Sequence, residues 1–347
     1  MDASEAIALI EAARAPGDLF GGAARAVPGP GRPSGPDDGA AAARIYRRLA
    51  RLTHPDARPG DARAAAAFAR LATLWQGYGA AAAAGALVAR GDLANLYRCG
   101  ARGGGARGGW LHKVARDPAD NDLIDREAAA LALLRRRADP RLLAYFPELV
   151  RVQRVTDPAT GAVRHGHVIA ELAGFASLAE VRSAFPAGVD PRDAAWMWRR
   201  LLVAIGAAHR AGLVHGAVLP EHVLIHPRAH GVVLIDWCYS GKACAPLPAL
   251  VRRYQDWYPP EIAARGPAGP DADIWLAAAC MSELTGDLMP SRLAAFVRGC
   301  QVASPRGRPH DAWELLAELD ELLGRLYGPR TFRPFAIPAR GARKENP

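Results

Sequence analysis

Apolar residues recur at helical spacing in the N-terminal part of the chain. Ile45, Leu49 and Leu52 fall at positions i, i+4 and i+7 and therefore share one face of a predicted amphipathic helix. Four arginines occupy the other side: Arg44, Arg47, Arg48 and Arg51. The segment THPDARPGD ends this helix, because proline cannot continue one. A second apolar stripe follows: Phe68, Leu71, Trp75 and Tyr78. The pattern predicts two antiparallel helices joined by a short exposed loop.

Strand-like segments dominate residues 88–171, where LANLYRC, WLHKVAR, ELVRVQRV and HGHVIAEL surround one predicted helix at 122–136. From residue 190 onward the apolar spacing is helical, interrupted by the short β segment GVVLID. Strands with one helix, followed by a helical half, predict an α+β fold of two lobes. Upstream, we expect a short helix around residues 7–10 and a Pro/Gly-rich loop at 26–39.

Composition narrows the class of protein. The net charge is +9, but only three of the 44 basic residues are lysines. This bias is typical of a GC-rich genome, so the charge permits acidic partners or nucleic acid without requiring them. Five cysteines without CxxC spacing favour a reducing, cytoplasmic location over disulfides or a zinc site. The acidic N-terminus does not resemble a signal peptide, and the apolar stretches are too short to span a membrane.

The basic helix is followed directly by His54, Pro55 and Asp56. Together, RIYRRLARLTHPDARPGDARAAAAFARLATLW resembles helix II, the His-Pro-Asp loop and helix III of the J domain in the DnaJ co-chaperone family. The resemblance implies that the four arginines and the tripeptide bind a DnaK-type chaperone and stimulate its ATP hydrolysis. The alternative interpretation is a helix end that merely contains proline. One departure lies upstream, where DLFGG precedes nearly twenty loop residues, so we expect an irregular bundle.

Residues from about 85 to 325 carry a second ordered set of motifs. GWLHKVAR contains Lys113, IDREAAALALL contains Glu127, VVLIDWCYS contains Asp236, and YPPEI and DADIWLAAA follow. In this order the segments resemble the landmarks of the protein kinase family. The resemblance implies that Lys113 anchors ATP, that Glu127 pairs with this lysine, and that Asp236 binds Mg²⁺. It also implies a structural ion pair between Glu261 and Arg308.

Two further segments complete the nucleotide site that this resemblance implies. ARGDLANLYR aligns with the family's glycine-rich loop, although only one of the three glycines is present. VIAELAGF resembles the end of the last N-lobe strand and the hinge, whose backbone is implied to bind adenine. The implied ATP-binding residues are Gly91, Lys113, Glu127, Glu171, Ala173 and Asp236.

The loop that carries catalysis in the kinase family is altered here. VHGAVLPEHVLI keeps the family's scaffold histidine as His215. Kinases place an Asp base and a metal-binding Asn in this loop, but Ala217 and His222 occupy those positions. A methyl group cannot accept a proton, and neutral imidazole is a poor Mg²⁺ ligand beside oxygen. We therefore expect no catalytic residue and a pseudokinase that keeps the ATP side of the site. The segment between Asp236 and Glu261 contains no threonine, which disfavours activation by phosphorylation.

The motifs predict the domain boundaries. Residues 1–80 form the J-domain-like part with its loop at 54–56, and residues 81–88 form a linker. Residues 89–326 form the kinase-like domain, with an N-lobe at 89–171 and a C-lobe at 174–326, followed by an irregular tail at 327–347. GARGGGARGG, at 100–109, lacks the Gly-Lys-Ser/Thr of a phosphate loop and is interpreted as a hairpin turn.

The leading interpretation is a multi-domain co-chaperone. It recruits and stimulates a DnaK-type ATPase and carries a kinase-like platform for an unidentified protein client, without a membrane partner. Two alternatives stay open. One is an active, atypical serine/threonine protein kinase that uses another carboxylate. The other is an Arg-rich protein that binds nucleic acid, a property that predicts steep salt dependence.

Overall fold

The computed structural model describes residues 1–14, 16–20, 36–84, 86–99, 109–157 and 160–338. They form a mixed α+β protein that divides into two units. The first unit comprises Met1–Ile124 together with Val150–Glu171, and the second comprises Asp125–Leu149 together with Leu172–Pro347.

Four helices form the N-terminal part of the first unit: α1 (Ala3–Ala12), α2 (Pro16–Phe20), α3 (Pro36–Thr53) and α4 (Ala62–Ala84). Asp2 and Glu5 begin α1 in a capping box, in which each side chain accepts a hydrogen bond from the other residue's N–H. The apolar stripes of α3 and α4 meet in one core around Leu49, Leu71 and Trp75, and α1 and α2 pack against both helices.

The first unit also contains a five-stranded antiparallel sheet. Its strands are β1 (Ala86–Arg90), β2 (Ala94–Cys99), β3 (Trp110–Ala115), β4 (Leu149–Thr156) and β5 (Val163–Ala170). They pair in the order β1-β2-β3-β5-β4, which makes β3 the central strand. Lys113 of β3 lies opposite Leu96 of β2 and His167 of β5. Between β3 and β4 the chain forms α5 (Asn121–Arg137).

The second unit is mainly helical. Its helices after α5 are α6 (Leu178–Ala184), α7 (Pro191–Arg210), α8 (Pro260–Ala263), α9 (Pro270–Thr285), α10 (Ser291–Cys300) and α11 (Ala312–Tyr327). Its short strands are β6 (Ala176–Ser177), β7 (Leu213–Val214), β8 (Val223–His226), β9 (Gly231–Leu234), β10 (Gly241–Lys242), β11 (Ala245–Pro246) and β12 (Pro267–Ala268). They pair as β6-β8-β9, β7-β10 and β11-β12.

Helix α7 is the centre of this unit, because it packs against α9, α11 and β9. Trp198 is 1% exposed and Trp196 is 7% exposed, in agreement with the apolar pattern of this helix. At Gly206 a Cβ atom would lie 2.6 Å from the Trp313 indole nitrogen of α11. A side chain at this position would therefore push the two helices apart.

The structure corrects several expected boundaries. Helix α3 begins at Pro36, inside the expected 26–39 loop, because proline suits the first turn of a helix. The rest of that loop, residues 26–35, lies outside the described residues. Helix α4 extends to Ala84 and β1 begins at Ala86, across the expected 81–88 linker, since alanine is the strongest helix former. Of the 100–109 turn only Gly109 is described. None of the described helices has the length and apolar character needed to span a membrane.

Candidate functional site

The arginine face of α3 is open to solvent. Arg44, Arg47, Arg48 and Arg51 are all exposed, while Leu49 on the opposite side is 1% exposed. No acidic residue occurs between residues 39 and 55, so nothing within this stretch neutralises the four charges. The helix ends at Thr53, whose buried hydroxyl donates to the Leu49 carbonyl at 2.9 Å. The result is a positively charged surface that leads directly to the following loop.

The loop holds His54 and Asp56 in defined positions. Residues 55–57 form a single 3-10 turn, and the Asp56 N–H donates to Nδ1 of His54 at 3.2 Å. Because Nδ1 accepts this hydrogen bond, the proton of the neutral imidazole lies on Nε2. The ring also packs edge-on against Phe68 of α4, with centroids 4.9 Å apart. The Asp56 side chain is 92% exposed. The loop thus presents an imidazole and a carboxylate to solvent from a fixed backbone.

Polar contacts hold the helices around this loop in register. Arg63 of α4 donates twice to the Glu11 carboxylate of α1, at 3.0 and 2.7 Å. Arg70 donates to the carbonyls of Ile10 and Ala13, at 3.1 and 2.6 Å. These last carbonyls of α1 would otherwise lack a partner within the helix. The loop is therefore carried by a bundle with specific cross-links in addition to its apolar core.

A buried hydrogen bond joins the helices to the sheet of the same unit. Trp75 Nε1 of α4 lies 3.0 Å from each carboxylate oxygen of Asp157, which begins the turn between β4 and β5. Trp75 is 2% exposed and Asp157 is 7% exposed. Tyr46 stacks on Trp75 with centroids 4.8 Å apart, and burial together with the Asp157 charge raises the pKa of Tyr46. The sequence carries no local sign of this contact, since the partners are 82 residues apart.

The expected nucleotide-binding residues of the first unit lie on its sheet. Lys113 is 5% exposed on the central strand. Gly91 lies in the β1–β2 turn, where its N–H donates to the Ala94 carbonyl at 2.8 Å and is committed to the hairpin. Glu171 follows β5, pairs with Arg98 at 2.5 Å and donates its N–H to the Gly109 carbonyl. The amides of Gly91 and Glu171 are therefore already used within the protein.

Asp273 organises the loop that carries the altered motif in the second unit. Its fully buried carboxylate accepts hydrogen bonds from the N–H groups of His215 and Gly216, at 2.7 and 2.8 Å, and lies 2.9 Å from Nε2 of His209. Nε2 of His215 lies 2.9 Å from the Ile235 carbonyl. Burial lowers the pKa of His215 to about 4, so its ring is neutral near pH 7 and donates to that carbonyl.

His222 contacts the carboxylate expected to bind metal. Its Nδ1 lies 2.8 Å from the Ala217 carbonyl, and its Nε2 lies 3.2 Å from Oδ2 of Asp236. Both partners are oxygen acceptors, so the ring satisfies both contacts only when each nitrogen carries a proton. Asp236 itself has left-handed backbone geometry, with φ of 67°, and its side chain is 25% exposed. At the position where the kinase resemblance implies a metal-binding Asn, the side chain is thus an imidazole that contacts Asp236.

Among the described residues, one group of three side chains could hold a metal ion. The ligand atoms of Glu127, Asp236 and Cys238 all lie within 4.8 Å of one another. Mg²⁺ prefers oxygen ligands in octahedral geometry, whereas a thiol suits softer metals. The Cys238 thiol lies 3.2 Å from Oε2 of Glu127 and donates to it, and Trp237 N–H donates to Oε1 at 3.3 Å. This donor set fits Mg²⁺ poorly.

Ala217 places no proton-accepting side chain at the position where the kinase resemblance implies a catalytic base. Ala217 is fully buried. Glu221, the loop's own carboxylate, accepts from the Tyr254 hydroxyl at 2.5 Å and pairs with Arg253 at 3.0 Å. Burial, reinforced by this bond to Glu221, raises the pKa of Tyr254. Ser240 is 1% exposed and donates to the Trp237 carbonyl at 2.7 Å. These hydroxyls are already engaged inside the protein.

The expected ion pair of the second unit is present. Arg308, which is 3% exposed, contacts Glu261 at 2.5 Å and Asp271 at 3.1 Å. Trp275 of α9 lies beneath the guanidinium, 4.6 Å from its carbon to the ring centroid. The contact fixes the start of α8 against the start of α9.

No protein-family model matches the chain, and no curated protein shows significant similarity to it.

Proposed function

We propose that the first unit acts as a J-domain-type co-chaperone that recruits a DnaK-type chaperone and stimulates its ATPase. The observation that carries this proposal is the position of half-exposed His54 and exposed Pro55 and Asp56 at the end of a helix whose outer face is all arginine. We place this interaction in the cytoplasm, where the free cysteines at 238, 244, 280 and 300 would stay reduced.

The chemistry of the loop supports a role in binding an acidic partner. Exposed arginines on α3 attract an acidic surface over a distance of about 8–10 Å at ordinary salt. This attraction raises the rate of association more than the final affinity. The short-range contacts then come from the His54 Nε2–H, which is free to donate, and from Asp56, whose carboxylate accepts charge-assisted hydrogen bonds from a partner cation.

The test is ATP hydrolysis by a DnaK-type chaperone under single-turnover conditions, with the full-length protein added. Wild type is expected to accelerate hydrolysis, and His54→Gln is expected to abolish the acceleration. His310→Gln is the matched control, because His310 is also exposed but lies outside this loop. Failure of the wild type to stimulate, or equal stimulation by His54→Gln, refutes the proposal.

For the second unit, together with the sheet that carries Lys113, we propose a kinase-like module that does not transfer phosphate. The observation that carries this part is the pair of changes in one loop. Ala217 offers no proton acceptor where the resemblance implies the catalytic base, and Nε2 of His222 lies 3.2 Å from Oδ2 of Asp236, the carboxylate implied to bind the metal. The module would bind ATP through contacts to its adenine and phosphate groups. It would then serve as a platform for a protein client.

Radiolabelled ATP separates this proposal from the active-kinase alternative. The full-length protein is incubated with labelled ATP and a general protein substrate, next to Lys113→Ala. We expect no transfer above background with either protein. A label that appears with wild type and disappears with Lys113→Ala supports the atypical kinase instead. A thermal-shift titration with ATP, with and without Mg²⁺, then tests nucleotide binding independently of transfer.

A further inference from the structure

A cavity of about 590 Å³ lies within the second unit, away from the altered loop. It is bounded by α7, by the end of α11 and by the segment that follows α11 up to residue 333. A volume of this size suits a small organic molecule. The sequence offered no sign of it, because residues 327–347 were expected to be an irregular tail.

The segment after α11 is held in place by two anchors. Phe335 is 7% exposed and stacks on Phe185, with centroids 5.6 Å apart. Arg333 pairs with Asp193 at 3.0 Å and with Asp190 at 3.2 Å. The last wall of the cavity is therefore a fixed part of the unit.

Aromatic rings form one side of the cavity. His230 stacks on Trp196, with centroids 4.0 Å apart and the planes 7° from parallel. The ring centroids of His230 and Phe332 lie 4.4 Å apart, with the planes 30° from parallel. Within the described residues, Trp196 Nε1 and His230 Nε2 have no hydrogen-bond partner, although both side chains are more than nine-tenths buried. Such orphaned groups are rare. Phe332 is 67% exposed, so turning its ring aside uncovers the imidazole.

Arginines line the other side of the cavity. Arg199 pairs with Asp320, and Arg192 lies 3.6 Å from Asp190. Arg330 is exposed and has no ion pair with any residue of the described part of the chain. Burial lowers the pKa of Arg199, and the positive charges of Arg330 and Arg200 lower it further. Arg330 thus lies near other arginines without an ion-pair partner among the described residues, and an added anion would offset its charge.

We propose that this cavity binds a small aromatic anion: a planar ring that carries a phosphate or carboxylate group. When Phe332 turns aside, the ligand ring stacks on the part of His230 that Phe332 had covered, and the anion pairs with Arg330 beside Arg199. The cavity offers both a flat apolar contact and a charge-assisted hydrogen bond, which are the two features that such a ligand needs. The proposal does not depend on the chaperone or kinase-like functions.

The probes are AMP, which carries phosphate, and salicylate, which carries carboxylate, and their binding to full-length protein is measured by titration calorimetry. Gly324→Leu fills the cavity, because Gly324 lines it on α11 and a Cβ there meets no atom within 4 Å. Gly299→Leu on α10 is the matched control, since its Cβ is equally unhindered. Arg330→Ala removes the unpaired cation, and Arg298→Ala removes an exposed cation elsewhere on α10.

Binding of either probe is expected to weaken at least tenfold in Gly324→Leu and in Arg330→Ala, and to stay within twofold in both controls. The probe that binds identifies the anion. AMP binding must also survive Lys113→Ala, which separates this cavity from the nucleotide site expected around that lysine. The inference is overturned if neither probe binds, if Gly324→Leu binds like wild type, or if Lys113→Ala alone abolishes binding.

Discussion

The hydrogen bond between Trp75 and Asp157 is predicted to stabilise the helices that carry the His-Pro-Asp loop. Asp157→Ala removes an acceptor whose two oxygens lie 3.0 Å from the indole nitrogen. Trp75 is 2% exposed, so the substitution deprives a buried N–H of the carboxylate that it contacts. Loss of a hydrogen bond to a charged group, with one partner unsatisfied, costs about 2 kcal/mol.

Hydrogen exchange of the amides of α4 measures this cost within the first unit, without requiring the two units to unfold together. A loss of about 2 kcal/mol corresponds to roughly 30-fold faster exchange. Asp92→Ala is the control, because Asp92 is an exposed acid of the same unit, and it is expected to leave exchange unchanged.

A double-mutant cycle isolates the contact from the other effects of each substitution. Trp75→Phe loses ring volume as well as the N–H, so its own cost is larger than that of the hydrogen bond. The free-energy change in the double variant is expected to differ from the sum of the changes in the single variants by about 1.5 kcal/mol. This coupling energy is within the range found for contacting residues. A coupling energy near zero, or equal exchange in Asp157→Ala and Asp92→Ala, refutes the reasoning.

Three further predictions concern the second unit. Burial lowers the pKa of His215 to about 4 in the folded protein, whereas it is about 6.5 in the unfolded chain. Between these two pH values the unfolded chain binds a proton at His215 that the folded protein does not bind. The free energy of unfolding therefore decreases by about 3 kcal/mol as the pH falls from 6.5 to 4. Urea unfolding across this range should show a shallower pH dependence for His215→Asn, and an unchanged slope contradicts the assignment. Arg308→Ala leaves Glu261 without its buried partner and should lower the free energy of unfolding in urea by about 3–5 kcal/mol. The control Arg306→Ala, at an exposed position, should lower it by less than about 0.5 kcal/mol. Equal losses in the two variants rule out a structural ion pair. His222→Asn frees the Asp236 oxygen for a metal ion. Any increase in melting temperature caused by ATP and Mg²⁺ should therefore become partly sensitive to EDTA in this variant. Equal sensitivity to EDTA in wild type contradicts the idea that His222 blocks metal binding.

Much of the fold could be predicted from the sequence because local patterns determined it. The segment WLHKVAR became β3, and the apolar spacing between 191 and 212 became α7. Strand β1 was not predicted, since ALVAR adjoins an alanine-rich helix and carries no clear alternation. The two-residue strands of the second unit exist only through pairing with distant segments, and no local pattern specifies such pairs.

The candidate sites likewise contain some features that follow from local sequence patterns and others that depend on contacts between distant residues. The exposed arginine face of α3 follows from helical spacing alone, so the sequence predicted it correctly. The contact of His222 with Asp236 depends on how β8 and β9 pair, and the sequence indicated only that His222 suits Mg²⁺ poorly. The Trp75–Asp157 contact and the cavity beside α11 join residues from distant parts of the chain. Neither has a local signature.

Photo-cross-linking tests most directly whether the arginine face and the His-Pro-Asp loop bind a DnaK-type chaperone. A photoreactive phenylalanine replaces Arg48 on this face or, as a control, exposed Arg90 on β1. Mixed with the ATP-bound chaperone, the protein is expected to cross-link through position 48 and not through position 90, and His54→Gln should abolish the product. Equal cross-linking from both positions, or a product from position 48 that survives His54→Gln, would contradict the account.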